Sequence, residues 1–149
     1  MAVKGADKLI ATLHRFPEKV KANLVPAVHK AAQGVLADMQ MLTPYDPENP
    51  GRHARDGLTI SYEKDGLVAR IGLVTPELTS EYFWFRFLDG GTKGGEVTYW
   101  RRTKDGKRRQ STMRVPARVA HHIRFRALDG NLDMIDRVIR QAIKKAANG

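Results

Sequence analysis

Apolar residues recur every three or four positions between Val20 and Leu42, at Val20, Leu24, Val28, Ala31, Val35, Met39 and Leu42. That spacing places them on one stripe and predicts a long amphipathic helix with one face in the core. Pro26 lies inside the pattern. A mid-helix proline removes a hydrogen bond and clashes with the preceding turn, so a kink or restart is expected near Val25. Upstream, Asp7 to Phe16 carries Leu9, Ile10 and Leu13 and reads as a separate short helix ended by Pro17.

From Thr43 to Arg55 the chain holds Pro44, Asp46, Pro47, Asn49, Pro50 and Gly51, has little to bury, and is expected to be a loop. The apolar period then falls to two. Leu58, Ile60 and Tyr62 alternate with polar neighbours, as do Leu67, Ala69, Ile71 and Leu73, which predicts two half-buried strands. Asp65-Gly66 between them suits a two-residue type I′ turn, where both central residues need positive φ. With Lys64 opposite Leu67, the expected pairs are Tyr62 with Ala69, Ile60 with Ile71 and Leu58 with Leu73, all on one face.

The aromatic run Glu81 to Leu88 is too short and too apolar for periodicity to separate strand from helical turns; its rings are expected in a core or a subunit interface. A second hairpin is expected from Val97 to Arg102 and Lys107 to Val115 around Asp105-Gly106, again as a type I′ turn. In that register Lys104 faces Lys107 and Arg102 faces Arg109, like charges that oppose pairing. Two readings are open: a partner supplies negative charge, or the solvated tip frays. The chain closes with an amphipathic helix expected from about Asn131 to Ala147, capped by Asp129 or Asn131, with Leu132, Ile135, Val138, Ile139, Ala142, Ile143 and Ala146 facing a sheet. The elements together predict the α+β class: an antiparallel β-sheet of two hairpins packed against a long N-terminal helix and a C-terminal helix. The whole chain, 1–149, is expected to be a single domain with an inserted basic β-hairpin arm at about 93–112.

Charge changes this picture only locally. The formal net charge is +10, and from Arg101 to Arg126 ten Arg and Lys stand against the single Asp105. The excess is a patch, which draws polyanions or acidic protein surfaces. No stretch approaches the roughly 20 apolar residues of a membrane span, and the N-terminus lacks an apolar signal core, so a soluble, unexported protein with no membrane partner is expected. With no cysteine there is no disulfide, no Cys-ligated zinc and no thiol nucleophile.

Candidate chemistry is sparse. Gly90-Gly91-Thr92-Lys93-Gly94-Gly95 resembles a phosphate cradle in composition, but Lys93 precedes the second glycine pair and a strand follows, so a turn or interface loop is expected. His121 and His122 are adjacent and point apart, while His14, His29 and His53 are single. Ser61, Ser80 and Ser111 lack a nucleophile elbow. The expectation is therefore a non-enzyme with no catalytic, metal or cofactor residues.

The order of elements resembles the tail-completion, or head-to-tail joining (neck), family of lambda-like long-tailed bacteriophages. The residues that carry the likeness are the helix end Leu42-Thr43-Pro44-Tyr45-Asp46, the strand start Gly51 to Leu58, the aromatic run Tyr82 to Leu88 leading to Gly91-Thr92, and Met113-Arg114-Val115-Pro116-Ala117-Arg118 before the last helix. The chain departs from the family pattern at the longer Pro47 to Pro50 loop, at Val119 in place of a second proline, and in an insertion from Lys93 to Thr112 that contains the basic hairpin. The resemblance implies a structural virion protein, made in the bacterial host cytoplasm. It would form a ring, a hexamer, that completes or terminates the tail and contacts the tail-tube protein and the head connector or stopper proteins, with DNA passing through its channel. The insertion then reads as the chain's own device, with Arg101, Arg102, Lys104, Lys107, Arg108 and Arg109 as its contact residues. The alternative is a basic nucleic-acid binding module that uses the 97–115 hairpin.

Overall fold

The computed structural model describes the backbone of residues 6–48 and 50–148, and side chains of that range from residue 17 onward. The α+β class expected above is what the chain forms, in the order α1 (Ala6–Leu42), β1 (Thr59–Glu63), β2 (Val68–Gly72), α2 (Pro76–Glu81), α3 (Phe85–Gly90), β3 (Gly95–Arg102), β4 (Arg108–Val115) and α4 (Ile123–Asn148).

The separate N-terminal helix and the break near Val25 are not found: α1 runs unbroken through Pro17 and Pro26. Pro26 and Ala22 are both exposed, so the carbonyl that the missing N–H leaves free is open to water, while Ala27, Ala31 and Ala32 are buried. Packing along that buried face holds the helix through the proline. The side chains of Leu9, Ile10 and Leu13 lie outside the described residues.

The helix α4 begins at Ile123, eight residues before the expected start. Asn131, expected as a cap, is buried in mid-helix, where its Nδ2 donates to Asp38 Oδ2 of α1 at 2.6 Å and to the Ala127 carbonyl at 2.8 Å. Asp133 and Asp136 consequently lie in the body of the helix, and Asp136 pairs with Arg140 one turn on at 2.7 Å. The buried face of α4, with Ile123, Ala127, Ala142 and Ala146, lies chiefly on α1 and not on a sheet. The main core gathers Val35 and Met39 of α1, Ala54 and Leu58 of the following turn, Phe85 of α3, and Ile123 and Ala127 of α4.

The strands form two separate two-stranded hairpins. In the first, Ile60 pairs with Ile71 and Tyr62 with Ala69 as expected, although the ladder ends at Thr59 with Gly72 and leaves Leu58 and Leu73 outside. Asp65 and Gly66 have the positive φ of the expected turn, and Leu67 N–H donates to the Lys64 carbonyl at 3.2 Å. An isolated two-stranded hairpin is marginal in water. This one is held by α1, where His29 stacks on Tyr62 at 3.9 Å and Lys21 Nζ pairs with Asp65 at 2.8 Å.

The aromatic run, open between strand and helix in the sequence, is a turn followed by α3. Tyr82 and Phe85 enter the core, while Phe83 is exposed and meets Phe87 edge-on at 6.3 Å.

Candidate functional site

Two backbone straps bracket the inserted segment. Thr92 and Arg118 exchange hydrogen bonds in both directions at 2.9 Å, and Thr92 Oγ1 donates to the Pro116 carbonyl at 2.6 Å. Behind them, His121 N–H donates to the Leu88 carbonyl at 3.0 Å and His122 N–H to that of Asp89 at 2.9 Å. Gly91 makes the approach feasible: its φ is +68°, and a Cβ there would stand 2.7 Å from the Arg118 carbonyl oxygen. The glycine-rich stretch, expected as a turn or interface loop, runs from the end of α3 at Gly90 to the start of β3 at Gly95 and is closed at Thr92 on the Pro116-Ala117-Arg118 element.

Asp89 fixes the second strap. Only 6% exposed, its carboxylate accepts from Arg124 N–H at 3.0 Å and from Arg124 Nε at 2.6 Å, at the first turn of α4. Burial pushes its carboxyl up. The Arg124 N–H, the guanidinium bond and charge, and the Ile123 N–H together outweigh that and hold it below the usual carboxylate range. Asp89 therefore caps α4 from another element, satisfying N–H groups that a helix start leaves free.

From this root β3 and β4, eight residues each, run out as an antiparallel ribbon in which every residue but Ser111 and Val115 is exposed. At roughly 3.3 Å per residue the arm extends about 26 Å. Its turn differs from the expected type I′. Gly106 N–H donates to the Thr103 carbonyl at 2.9 Å, Thr103 N–H donates to the Lys107 carbonyl at 2.9 Å, and of the loop residues only Gly106 has positive φ. This is a three-residue loop, Lys104-Asp105-Gly106, closed by a glycine bulge. Thr103 Oγ1 adds a bond to the Lys107 carbonyl at 3.0 Å, which favours this loop over the shorter one.

The extra loop residue shifts the register by one. Arg102 faces Arg108 and Arg101 faces Arg109, so the expected pairs of Arg102 with Arg109 and Lys104 with Lys107 do not form; Lys104 sits in the loop and Lys107 at its base, opposite Thr103. The like-charge opposition remains, now in two adjacent arginine pairs. All six expected contact residues, Arg101, Arg102, Lys104, Lys107, Arg108 and Arg109, are exposed, and none forms an ion pair among the described residues.

Alternation along the strands divides the arm into two unlike faces. One carries Val97, Tyr99 and Arg101 opposite Met113, Ser111 and Arg109; the other carries Thr98, Trp100 and Arg102 opposite Thr112, Gln110 and Arg108. The first face is apolar near the root and cationic at the tip. The second is polar, with Trp100 66% exposed beside the arginines. Sequence reasoning found the cations and missed this division, because its register was one residue out.

Comparison of the chain with protein-family models, with curated proteins and with solved structures finds no match.

Proposed function

We propose that the chain is a non-enzymatic structural subunit of the neck of a long-tailed bacteriophage, forming a ring, a hexamer, that completes the tail and joins it to the head connector. The observation that carries this reading is the arm. It projects from a packed body, concentrates six exposed cations at its distal end, and among the described residues finds no carboxylate of its own chain to pair with. Such an element is stabilised by something anionic outside its own fold. The strap between Gly91-Thr92 and Pro116-Ala117-Arg118 supports the resemblance on which the neck reading rests, since these motifs lie far apart in sequence and meet at the base of the insertion.

The test is cryo-electron microscopy of assembled particles, or of the purified protein mixed with its tail-tube partner. A ring at the head-proximal end of the tail is the expected result; a strict monomer that never enters a particle overturns the reading. Exposed Trp100 beside the Arg102 and Arg108 pair favours one other reading, a nucleic-acid binding module that stacks bases on the indole. That reading requires binding to short duplex or single-stranded DNA that weakens by roughly one power of salt per phosphate contact.

A further inference from the structure

Like the arm, α4 is amphipathic beyond what its own fold uses. Its described face toward α1 buries Ile123, Ala127, Asn131, Ala142 and Ala146. A second apolar stripe runs beside that face, through Phe125, Leu128, Leu132, Ile139 and Ile143, at steps of three, four or seven residues. Phe125 is 70% exposed, Leu128, Leu132 and Ile143 are about half exposed, and only Ile139 is partly covered. Along one edge of the stripe stand the exposed carboxylates of Asp129 and Asp133, which form no ion pair among the described residues.

We infer that the apolar face of the arm docks along this stripe on a second copy of the same chain, so that each subunit gives an arm to one neighbour and receives an arm from the other. The inference rests on the ring reading above and names the surfaces that reading would use. Three features select a second copy as the occupant.

The lengths agree: the arm extends about 26 Å, and Phe125 to Ile143 spans about 27 Å of helix at roughly 1.5 Å per residue. The chemistry agrees in order as well as in kind. With Val97 and Met113 laid on Ile139 and Ile143, the tip pair Arg101 and Arg109 lies about 13 Å further along, or about nine helical residues, which brings it beside Asp129 and Asp133. The reverse orientation, with Val97 and Met113 on Phe125 and Leu128, would set the tip near Asp133 and Asp136, and Asp136 already pairs with Arg140; the arm is therefore placed pointing toward the start of the neighbour's α4.

The third feature is size. One face of a two-stranded ribbon offers about 260 Å², well under the roughly 800 Å² per partner of a stable pair. The contact is therefore too small to hold a pair by itself, and it fits only as one of several contacts, as in a closed, heterologous ring where each subunit makes it twice. In that arrangement Arg101 and Arg109 serve the neighbour, while Trp100, Arg102 and Arg108 on the opposite face stay free for a further anion.

The chain has no cysteine, so disulfide cross-linking reports the contact directly. Met113 and Ile143 are each about half exposed, and replacing them leaves the core intact. In the concentrated purified protein, oxidation of the double variant Met113→Cys/Ile143→Cys is expected to give a ladder of covalent oligomers. A mixture of the two single variants should stop at dimers, and the opposite-face control Thr112→Cys/Ile143→Cys should remain monomeric. Equal cross-linking from Thr112→Cys, a fast-migrating internally linked monomer, dimers of Met113→Cys alone, or no cross-link at all would each overturn the inference. The same variants in assembled particles separate this inference from the ring reading. A ladder in a protein that never enters a particle retains the contact and removes the neck; incorporation into particles without the cross-link does the reverse.

Discussion

Replacing Asp89 with alanine tests whether the start of α4, and with it the root of the arm, is held by a cap from a distant element. The carboxylate accepts the Arg124 N–H at 3.0 Å and Arg124 Nε at 2.6 Å. Loss of a helix cap costs about 1 kcal/mol, and loss of a negative charge at a helix N-terminus up to about 1 kcal/mol more. The Arg124 side chain is 67% exposed, so the ion pair itself contributes little after screening. Asp89→Ala is therefore expected to cost about 2 kcal/mol, which for a chain of this length lowers the melting temperature by about 4–8 °C. Arg124→Ala leaves the backbone bond intact and should cost under about 1 kcal/mol.

Titration gives an independent reading of the same contact. A carboxyl held below its ordinary range stabilises the fold in full above the unfolded pKa, and that contribution is lost as pH falls through the folded one. The stability advantage of the native chain over Asp89→Asn should thus be constant near neutrality and shrink on acidification. Thermal melts monitored by circular dichroism between neutral and acid pH check both statements. If Arg124→Ala proves as costly as Asp89→Ala, or if the advantage over Asp89→Asn grows toward acid, the capping argument is wrong.

Two glycines with similar φ should behave differently on substitution. Gly91→Ala meets the Arg118 carbonyl oxygen at 2.7 Å in addition to a φ of +68°, and is expected to cost about 2 kcal/mol and weaken the Met113 to Ile143 cross-link. Gly106→Ala has φ +75° with nothing near its Cβ, so it should cost about 1 kcal/mol locally and leave the melting temperature of the body unchanged, read by hydrogen exchange of the arm amides. Asn131→Leu removes the amide that bridges Asp38 and the Ala127 carbonyl; it is expected to destabilise by about 1–3 kcal/mol in denaturant titration, and less when Asp38 is already alanine.

What was legible in the sequence is what local chemistry decides. Asp65-Gly66 and the alternation of Ile60 and Tyr62 with Ala69 and Ile71 agree on one register, and that register forms. Asp105-Gly106 is the same dipeptide with a different outcome, because Thr103 ahead of it closes a longer loop with its backbone and its hydroxyl. The start of α4 was hidden because its cap comes from Asp89, thirty-five residues away, and no nearby residue announces it. Pro26 suggested a break that packing along the whole of α1 overrides. Of the site, the six cations were legible as a run of charge; the apolar face between root and tip was not, since it exists only in the register that folding selects.

That register is where local turn chemistry meets assembly. Under a two-residue turn at Asp105-Gly106, Val97 would have faced Arg114 and Met113 would have faced Thr98, mixing apolar and charged side chains on both faces. One more residue in the loop puts Val97 opposite Met113 and Tyr99 on the same face, and collects the polar residues with Trp100 on the other. The ribbon that results is poorly stabilised on its own: two strands, nearly every residue exposed, and two arginine pairs set against each other at the tip. The core, which lies elsewhere, does not offset these costs. They would be offset where the apolar face is covered and carboxylates meet the tip, which is what the stripe from Phe125 to Ile143 with Asp129 and Asp133 would supply in the contact proposed above.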